Sequence, residues 1–402
     1  MSTRHTLLAK LHCATSAVLG AWAVVASHGC GAGSAGVDYG RWDGTSQITS
    51  GPALRVRWTK LLVPEFGGPY IPVERAAVAL DQRHDRLFIG SSDRIMWAFE
   101  AHGGRVLWKR DFGEGIDAEP TLDPVRDELY VATAGGQVYA LGASDGEVRF
   151  KVEVGASVSK PGVLSDDALY VVTDSDSVFA LSRKDGSTLW RYQRDARAGL
   201  KVTGHAGLLV SEQRVITGFN DGTVVALAKS DGQALWIVDT TLDLEDSAQA
   251  DLGFVDVDTT PVQVGDTVYV ASFLAGLYGL SVQDGSPVFR RAELTGVTGL
   301  AADERTLTLI SAERGVSCFD LPGMAPRWVR KTLIRGAANS VRLEDRTLFV
   351  TESQGALVAL AIADGKELGR LQTTHGFSTN ASVGQRSGAI LGNSGVVYAF
   401  DY

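Results

Sequence analysis

The sequence is poor in the residues that build disulfide frameworks and metal centres. Its 402 residues include three cysteines, Cys13, Cys30 and Cys318, and seven scattered histidines without an H-E-x-x-H motif. Cys13 lies in an N-terminal segment that we expect to be removed, so the two remaining cysteines do not support an intramolecular disulfide network. Zinc sites need clustered Cys and His ligands. We therefore predict no bound metal and no cofactor.

Runs of basic residues are also absent after residue 30. The chain has 38 Lys and Arg residues against 47 Asp and Glu residues, which gives a net charge of −9. Because binding to phosphates needs clustered Lys and Arg, a nucleic-acid partner is not expected. Charged residues make up only 21% of the chain and hydrophobic residues 45%. This composition indicates a folded protein with a large apolar core.

Motifs of common catalytic sites are missing. No G-x-S-x-G segment accompanies the serines. Two short carboxylate pairs, Asp174 with Asp176 and Asp256 with Asp258, do not complete a calcium-binding EF-hand loop, and we interpret them as solvated loop residues. The histidines after the N-terminal segment are expected in exposed loops or turns: His84, His102, His205 and His375. We predict that the protein is not an enzyme.

The N-terminus has the features of an export signal. Arg4 and Lys10 precede a mostly apolar stretch from Leu11 to Ala26, which is too short and interrupted for a secure membrane-spanning helix. Small residues then lead to Cys30, as in a bacterial lipoprotein. We predict a signal peptide over residues 1–29, lipidation of Cys30 and a flexible tether over residues 30–53. Simple secretion without lipidation is the alternative.

A repeated pattern covers the rest of the chain. A small residue is followed six positions later by glycine and four positions after that by an aromatic residue. The pattern occurs at Ala98/Gly104/Trp108, Ala140/Gly146/Phe150, Ala180/Gly186/Trp190, Ala226/Gly232/Trp236 and Gly279/Gly285/Phe289, weakens at Cys318/Met324/Trp328 and Ala359/Gly365/Gly369, and is truncated at Ala399. The intervals between the first positions are 42, 40, 46, 53, 39, 41 and 40 residues. Such regularity indicates structural repeats.

Each repeat is predicted to contain four short strands. In the third repeat these are residues 161–164, 168–173, 177–181 and 188–192, which are rich in Val, Leu, Tyr and Trp and are separated by turn residues. Four-stranded units of this length are typical of β-propeller blades. We predict an all-β, eight-bladed propeller of four-stranded antiparallel blades over residues 54–402, with Cys318 packed as a small core residue.

The last repeat lacks a fourth strand, because the chain ends soon after Ala399. A separate strand is predicted at residues 54–60, and its Trp58 supplies the missing aromatic residue. We expect this N-terminal strand to complete the last blade and close the ring, which removes an exposed pair of sheet edges.

The repeat resembles the pyrroloquinoline-quinone-type propeller repeat, and the segment Asp256-Val-Asp258-Thr-Thr-Pro261 resembles one in the BamB family of outer-membrane assembly lipoproteins. The resemblance implies that Asp256 and Asp258 bind the POTRA domains of a BamA-like barrel-assembly protein. A second family pattern, L-x-L-R-G, is matched in part by Leu200, Val202 and Thr203, with threonine in place of the arginine.

The resemblance implies a non-catalytic periplasmic scaffold, held by lipid at the outer membrane and belonging to the barrel-assembly machinery. Two other functions stay open: a propeller that binds a ligand or quinone in its channel, and an extracellular interaction module. Quinone-dependent relatives often carry an adjacent cysteine pair, which this chain lacks. For Asp256 and Asp258 themselves, the alternative is a structural role in capping a turn before the next strand.

Overall fold

Antiparallel strands make up nearly all the regular structure of the chain. The computed structural model describes residues 54–63, 73–194, 205–244, 255–311, 314–331 and 336–402. Within these ranges there are thirty-two strands, one 3-10 turn at Thr240–Asp243 and no α-helix. No helix in this part of the chain is long and apolar enough to cross a membrane.

The first half of the chain contains strands β1 to β17. They are β1 (Arg55–Leu61), β2 (Val78–Asp81), β3 (Arg86–Ile89), β4 (Ile95–Glu100), β5 (Val106–Asp111), β6 (Thr121–Asp123), β7 (Glu128–Ala132), β8 (Gln137–Gly142), β9 (Val148–Glu153), β10 (Val163–Ser165), β11 (Ala168–Thr173), β12 (Ser177–Ser182), β13 (Thr188–Gln193), β14 (Leu209–Val210), β15 (Arg214–Gly218), β16 (Thr223–Ala228) and β17 (Ala234–Asp239).

The second half contains strands β18 to β32. They are β18 (Val262–Val264), β19 (Thr267–Ser272), β20 (Gly276–Ser281), β21 (Pro287–Arg291), β22 (Val297–Ala302), β23 (Thr306–Ser311), β24 (Gly315–Asp320), β25 (Ala325–Arg330), β26 (Ala338–Glu344), β27 (Thr347–Glu352), β28 (Ala356–Ala361), β29 (Glu367–Gln372), β30 (Ser382–Gly384), β31 (Ser387–Leu391) and β32 (Val396–Asp401).

The strands form eight four-stranded sheets, which confirms the predicted propeller. Blades 1 to 7 are consecutive groups of four strands, from β2–β5 in blade 1 to β26–β29 in blade 7, each in sequential order. Blade 8 has the order β30-β31-β32-β1. Its first strand, β30, contacts β2 of blade 1, so the blades close into a ring. The N-terminal strand therefore completes the last blade as predicted.

Burial follows the position of a strand within its blade. The second and third strands are covered on both faces by neighbouring blades, and all six residues of β11 (ALYVVT) are buried. The fourth strands are exposed at alternate positions, as in β13. This difference explains why the inner strands are nearly continuous apolar runs whereas the outer strands mix aromatic and charged residues.

The repeat positions meet in register within each blade. The small residue of the third strand stands opposite the aromatic residue of the fourth, as Ala180 does with Trp190 and Cys318 with Trp328. Cys318 is fully buried, as predicted. In blade 8, Ala399 pairs with Trp58 of β1. Trp58 thus occupies the position that the sequence pattern assigned to it.

The aromatic residues also lock each blade to the next one. A Cβ atom on Gly232, whose φ is +74°, would lie 2.5 Å from Cε3 of Trp190 in the preceding blade. Glycine is therefore needed for both backbone conformation and close approach. The tryptophans add a hydrogen bond that the sequence pattern did not indicate. Their Nε1 atoms donate to backbone oxygens of the next blade in the pairs Trp58–Ala101, Trp108–Ala143, Trp190–Lys229, Trp236–Val282 and Trp328–Ile362.

Blades 7 and 8, where the sequence pattern is incomplete, lack parts of this contact between blades. Blade 7 has Gly369 at the aromatic position, and blade 8 lacks the hairpin glycine that such an aromatic residue would cover. The side chain of Tyr402 instead packs edge-on against Phe349 of blade 7. The irregular repeat therefore lies where the ring is closed by a strand from the other end of the chain.

Several predicted strand boundaries differ from the structure by one or two residues. The first strand of blade 3 begins at Val163 rather than at Pro161, because proline lacks the N–H group needed to extend a ladder. The closing strand begins at Arg55 rather than at Leu54. The predicted signal peptide, tether and lipidation site at Cys30 lie outside the described residues.

Candidate functional site

The segment from Val255 to Pro261 connects blade 4 to blade 5 and leads into β18. The backbone N–H of Val257 donates to the carbonyl oxygen of Phe219 in blade 4 at 3.2 Å. The carbonyl oxygen of Asp256 accepts a hydrogen bond from the N–H of Phe273 in blade 5 at 3.0 Å. The backbone that carries Asp256 and Asp258 is therefore fixed to two blades.

The threonines of this segment make the hydrogen bonds that hold the turn. Thr259 Oγ1 accepts from the N–H of Ala271 at 2.9 Å and donates to the carbonyl oxygen of the same residue at 3.2 Å. Thr260 Oγ1 accepts from the N–H of Gly207 at 3.0 Å. The threonine hydroxyls thus hold this turn to blades 4 and 5.

The two carboxylates are poorly satisfied for buried groups. Asp256 is 5% exposed, and Asp258 is partly buried. Oδ1 of each residue is buried and receives no hydrogen bond from any described residue. Buried polar atoms usually have a partner, and leaving one without costs about 1–3 kcal/mol. The two Oδ1 atoms therefore need an explanation, and a hydrogen-bond donor supplied by a bound partner or ligand would satisfy them.

Burial and nearby charges shift the pKa values of two groups at this site, Asp258 and Lys160. Burial raises the pKa of Asp258 to about 8, and the neighbouring Asp256 acts in the same direction, whereas the ammonium group of Lys160 opposes the shift. Burial lowers the pKa of Lys160, while Asp258 and Asp174 favour its charged form. The site therefore combines Asp258, whose pKa is raised, with the adjacent carboxyl group of Asp256 and one lysine from blade 3.

Further polar residues from blades 3 and 4 surround the pair. Asp176 Oδ1 lies 3.0 Å from His205 Nε2 and accepts a hydrogen bond from the backbone N–H of Asn220 at 3.3 Å. Ser159 donates to Asp174 Oδ1 at 2.6 Å. Asp176 also contributes repulsion to Asp258. We call Lys160, Asp174, Asp176, His205, Asp256 and Asp258 the acidic cluster.

The acidic cluster corrects two predictions from the sequence. Asp176 and Asp256 were expected to be solvated loop carboxylates, yet they are 2% and 5% exposed. His205 was expected to be exposed but is fully buried, with its ring edge against Phe219. In each case the neighbouring blade covers the turn, which a pattern within one repeat does not reveal.

Sequence patterns alone did not predict that Lys160 and His205 belong to this site. The repeat spacing does indicate that the aspartates lie close together. Asp174 and Asp176 follow the second strand of blade 3, and Asp256 precedes the first strand of blade 5. Superposition of the repeats would have placed these positions at the same end of their blades. Leu200, Val202 and Thr203, the other predicted contact residues, lie outside the described residues.

The acidic cluster presents carboxylate oxygens that can bind a cationic group. Among the described residues, no group of three or more Cys, His, Asp and Glu side chains is arranged to hold a metal. The unpartnered Oδ1 atoms could accept hydrogen bonds from an arginine or lysine side chain of another protein, and such charge-assisted bonds are stronger than neutral ones.

Comparison with known proteins identifies a common family. The sequence model of the family described as outer membrane protein assembly factor BamB matches residues 91–330. BamB of Salmonella typhimurium is 30% identical over 318 residues, which cover 76% of this chain and 79% of that protein. BamB of Shewanella oneidensis is 24% identical over 304 residues, which cover 72% of this chain and 75% of that protein.

Solved structures share the fold. The crystal structure of BamB from Moraxella catarrhalis matches with a TM-score of 0.73 and 22% identity, and the match covers 87% of this chain and all of that one. Sqt1 of Saccharomyces cerevisiae matches with a TM-score of 0.64 and 12% identity over 83% of this chain and 97% of that one. At these identities the structural matches show the propeller architecture alone.

Proposed function

Since the chain belongs to the BamB family of outer membrane protein assembly factors, we propose that it is a non-catalytic scaffold that binds the POTRA domains of a BamA-like barrel-assembly protein. The observation that carries this proposal concerns Asp256 and Asp258, which lie on a segment fixed to two blades. Their buried Oδ1 atoms have no hydrogen-bond partner in the part of the chain that the structure describes.

The rigidity of the segment supports a binding role. Its backbone and threonine hydroxyls are already bonded to blades 4 and 5, so little ordering is needed when a partner binds. Preorganisation of this kind improves affinity by lowering the entropic cost of association. A basic group of the partner would provide hydrogen bonds that the carboxylates lack in the free protein, so the partner would relieve an unfavourable state.

The electrostatics of the acidic cluster favour a positively charged partner surface. The cluster contains four aspartates, Asp174, Asp176, Asp256 and Asp258, with one lysine and one histidine. A bound cationic group would favour ionisation of Asp258, whose pKa is raised in the free protein. Complementary charge increases the rate of association and fixes the orientation of the partner more than it raises affinity. We therefore expect binding to the POTRA domains to weaken at higher salt.

The predicted location is the periplasmic face of the outer membrane, with attachment through a lipid on Cys30. The expected signal peptide and the glycine that follows Cys30 support this proposal. Incorporation of labelled palmitate into the wild-type chain, and its loss in Cys30→Ser, would support lipidation. Equal labelling of both chains would contradict it.

The test of partner binding is an affinity pull-down from detergent-solubilised membranes with the wild-type protein and the Asp256→Ala/Asp258→Ala variant. We expect the wild type to recover a POTRA-bearing barrel protein and the folded variant to lose it. Asp266→Asn is the matched control, because Asp266 is an exposed carboxylate in the β18–β19 turn of the same blade. Recovery by both the double variant and the control would contradict the assignment of the site.

A further inference from the structure

Most outer strands of the propeller carry a basic residue at an equivalent position. Each outer strand has one edge that is not paired with another strand of its blade. In five of the eight blades the residue directly after the aromatic position, or after its Gly369 equivalent, is basic: Lys109, Lys151, Arg191, Arg290 and Arg370. Arg370 differs from the other four because it is buried and paired with Glu367. Charged side chains, especially lysine, prevent an exposed edge from pairing with other chains.

Four of these basic residues are held in place by an aromatic ring on the adjacent strand. Lys109 Nζ lies 5.1 Å from the ring centre of Trp97, and Lys151 Nζ lies 5.3 Å from that of Tyr139. The guanidinium carbon of Arg191 lies 5.0 Å from the ring centre of Phe179. Arg290 lies over Tyr278 in the same way at 5.6 Å. These cation–π contacts fix a positive charge at the outer strands of blades 1, 2, 3 and 5.

Blade 4 lacks this protection. Its outer strand β17 begins Ala-Leu-Trp-Ile-Val, and Ile237 stands at the position of the basic residue, opposite Val225. Leu235 and Ile237 are 49% and 50% exposed. The charged residue at the end of the strand, Asp239, is occupied by hydrogen bonds from the N–H and hydroxyl groups of Thr241.

No other outer strand in the described residues has this composition. Blade 6 also has an apolar residue, Val329, at the position of the basic residue, but Pro326, Arg327 and Arg330 lie in the same strand. The closing strand β1 of blade 8 contains two arginines and a lysine. Blade 4 is therefore the one blade in this part of the chain whose outer strand has neither a basic residue nor a proline.

The unprotected edge is also rigid. Trp236 fixes the strand to blade 5 through its hydrogen bond to Val282, and its ring covers Gly285. The 3-10 turn that follows is held by the hydrogen bonds of Thr240 to Gly222. A strand held at its centre and its end presents its free edge in a fixed conformation, which lowers the entropic cost of adding another strand.

We propose that the outer edge of β17 binds an extended polypeptide strand in which apolar side chains alternate with polar ones. Two features of the edge indicate this class of partner. Its unpaired main-chain N–H and C=O groups can form hydrogen bonds with the main chain of another strand, and its exposed apolar residues at alternate positions favour a strand with alternating apolar residues. Strands of outer-membrane β-barrels have this pattern. The proposal thus names unfolded barrel strands as the substrate and rests on the proposed role in barrel assembly.

A second copy of the chain fits this edge less well. Stable dimers bury about 800 Å² on each partner, and a strand of six residues with two exposed apolar side chains offers a smaller contact. The net charge of −9 on each copy also opposes association. A short contact of this kind suits transient capture of an extended chain.

The test uses a fluorescently labelled peptide of about ten residues in which Val and Tyr alternate with Thr and Ser, the spacing of a barrel strand. Fluorescence anisotropy measures its binding to the wild-type protein, to Ile237→Lys and to Val329→Lys. The lysine in Ile237→Lys reproduces the residue found in other blades at that position. Val329→Lys is the matched control, because Val329 occupies the same register position in blade 6 and is equally exposed.

We expect Ile237→Lys to weaken binding of the alternating peptide about tenfold or more, whereas Val329→Lys leaves it unchanged. A peptide of the same composition with its apolar residues in one block should bind weakly to all three proteins. Leu235→Lys provides a second variant at the same edge, and circular dichroism verifies that each variant is folded. Absence of peptide binding to the wild type, or an equal effect of both lysine substitutions, would overturn the proposal.

Two additional measurements distinguish peptide binding at β17 from POTRA binding at the acidic cluster and from self-association. Ile237→Lys should still recover the POTRA-bearing protein, because the acidic cluster is unchanged, and Asp256→Ala/Asp258→Ala should still bind the peptide. Failure of POTRA recovery by the wild type with intact peptide binding would therefore contradict only the proposed function. Concentration-dependent dimers in sedimentation velocity, lost in Ile237→Lys, would show instead that the edge serves self-association.

Discussion

Trp58, in the first described strand, stands opposite Ala399 in the last strand of the chain. Its indole Nε1 also donates a hydrogen bond of 2.9 Å to the carbonyl oxygen of Ala101 in blade 1. The side chain of Trp58 therefore connects two blades. Its strand belongs to blade 8, and its indole ring packs against blade 1. The ion pairs of Arg55 and Arg57 with Asp401 lie along the same strand pair. This strand and the contact of β30 with β2 together close the ring.

Replacement of Trp58 is expected to destabilise the propeller. Trp58→Ala removes the packing over Gly104 and the hydrogen bond to Ala101, and a loss of this size costs about 3–5 kcal/mol. Thermal unfolding followed by circular dichroism measures the effect. Lys60→Ala is the control, because Lys60 is exposed in the same strand. A melting temperature equal to that of the wild type would contradict a role of Trp58 in closure.

Two glycines allow backbone strain and packing to be separated. Gly232 and Gly155 both have positive φ angles, of +74° and +79°. A Cβ atom on Gly232 would clash with Trp190, whereas one on Gly155 would meet no atom within 4 Å. Gly155→Ala should cost about 1–2 kcal/mol from backbone conformation alone. Gly232→Ala should cost more in urea denaturation, and equal losses would show that the interlock tolerates a methyl group.

The carboxyl pair predicts a specific dependence of stability on pH. The pKa of Asp258 is about 8 in the folded protein, against 3.8 for an ordinary aspartate. Between these pH values the folded state binds more protons than the unfolded state, so the contribution of Asp258 to stability falls as the pH rises. Asp258→Asn removes this penalty. Its melting temperature relative to the wild type should therefore increase from about pH 4 to about pH 8.

Asp266→Asn provides the control for this pH series. Asp266 is exposed at the other end of β18, so its difference from the wild type should be constant across the same range. If the difference between Asp258→Asn and the wild type were also constant, burial of the carboxyl pair would not be a determinant of stability.

Cys318 should tolerate a smaller side chain but not a larger one. The thiol is fully buried at a position where most other blades have alanine, and it faces Trp328 across the strand pair. Cys318→Ala should change the free energy of unfolding by about 1 kcal/mol or less, whereas Cys318→Leu should destabilise by about 1–3 kcal/mol through overpacking. Chemical denaturation distinguishes the two, and equal stability of both variants would show unexpected space between the blades.

Much of the architecture could be predicted because it repeats. The small residue, glycine and aromatic residue recur in most blades, and each occurrence supports the others. Trp58 could be assigned to the last blade from the same logic, since Ala399 lacks an aromatic partner in its own repeat. Strand ends were less certain, as Pro161 and Leu54 show, because single residues decide where a ladder begins.

The acidic cluster was predictable only in part. Asp256 and Asp258 were identified by resemblance, but their burial and their unpartnered oxygens depend on Lys160 and His205, which lie far away in the sequence. The same holds for the edge of β17. Its apolar residues are visible in the sequence, but their significance appears only when the cation–π pairs of other blades are seen in register.

The sequence by itself determined the number of blades, their strand order and the residue that closes the ring, because these follow from local periodicity and from one unmatched position. The tertiary structure decided which polar groups are buried and which edge remains unprotected. These properties depend on contacts between neighbouring blades and strands, and burial changes both the cost of an unpaired carboxylate and its pKa. A residue pattern within one repeat carries no information about what the next blade covers.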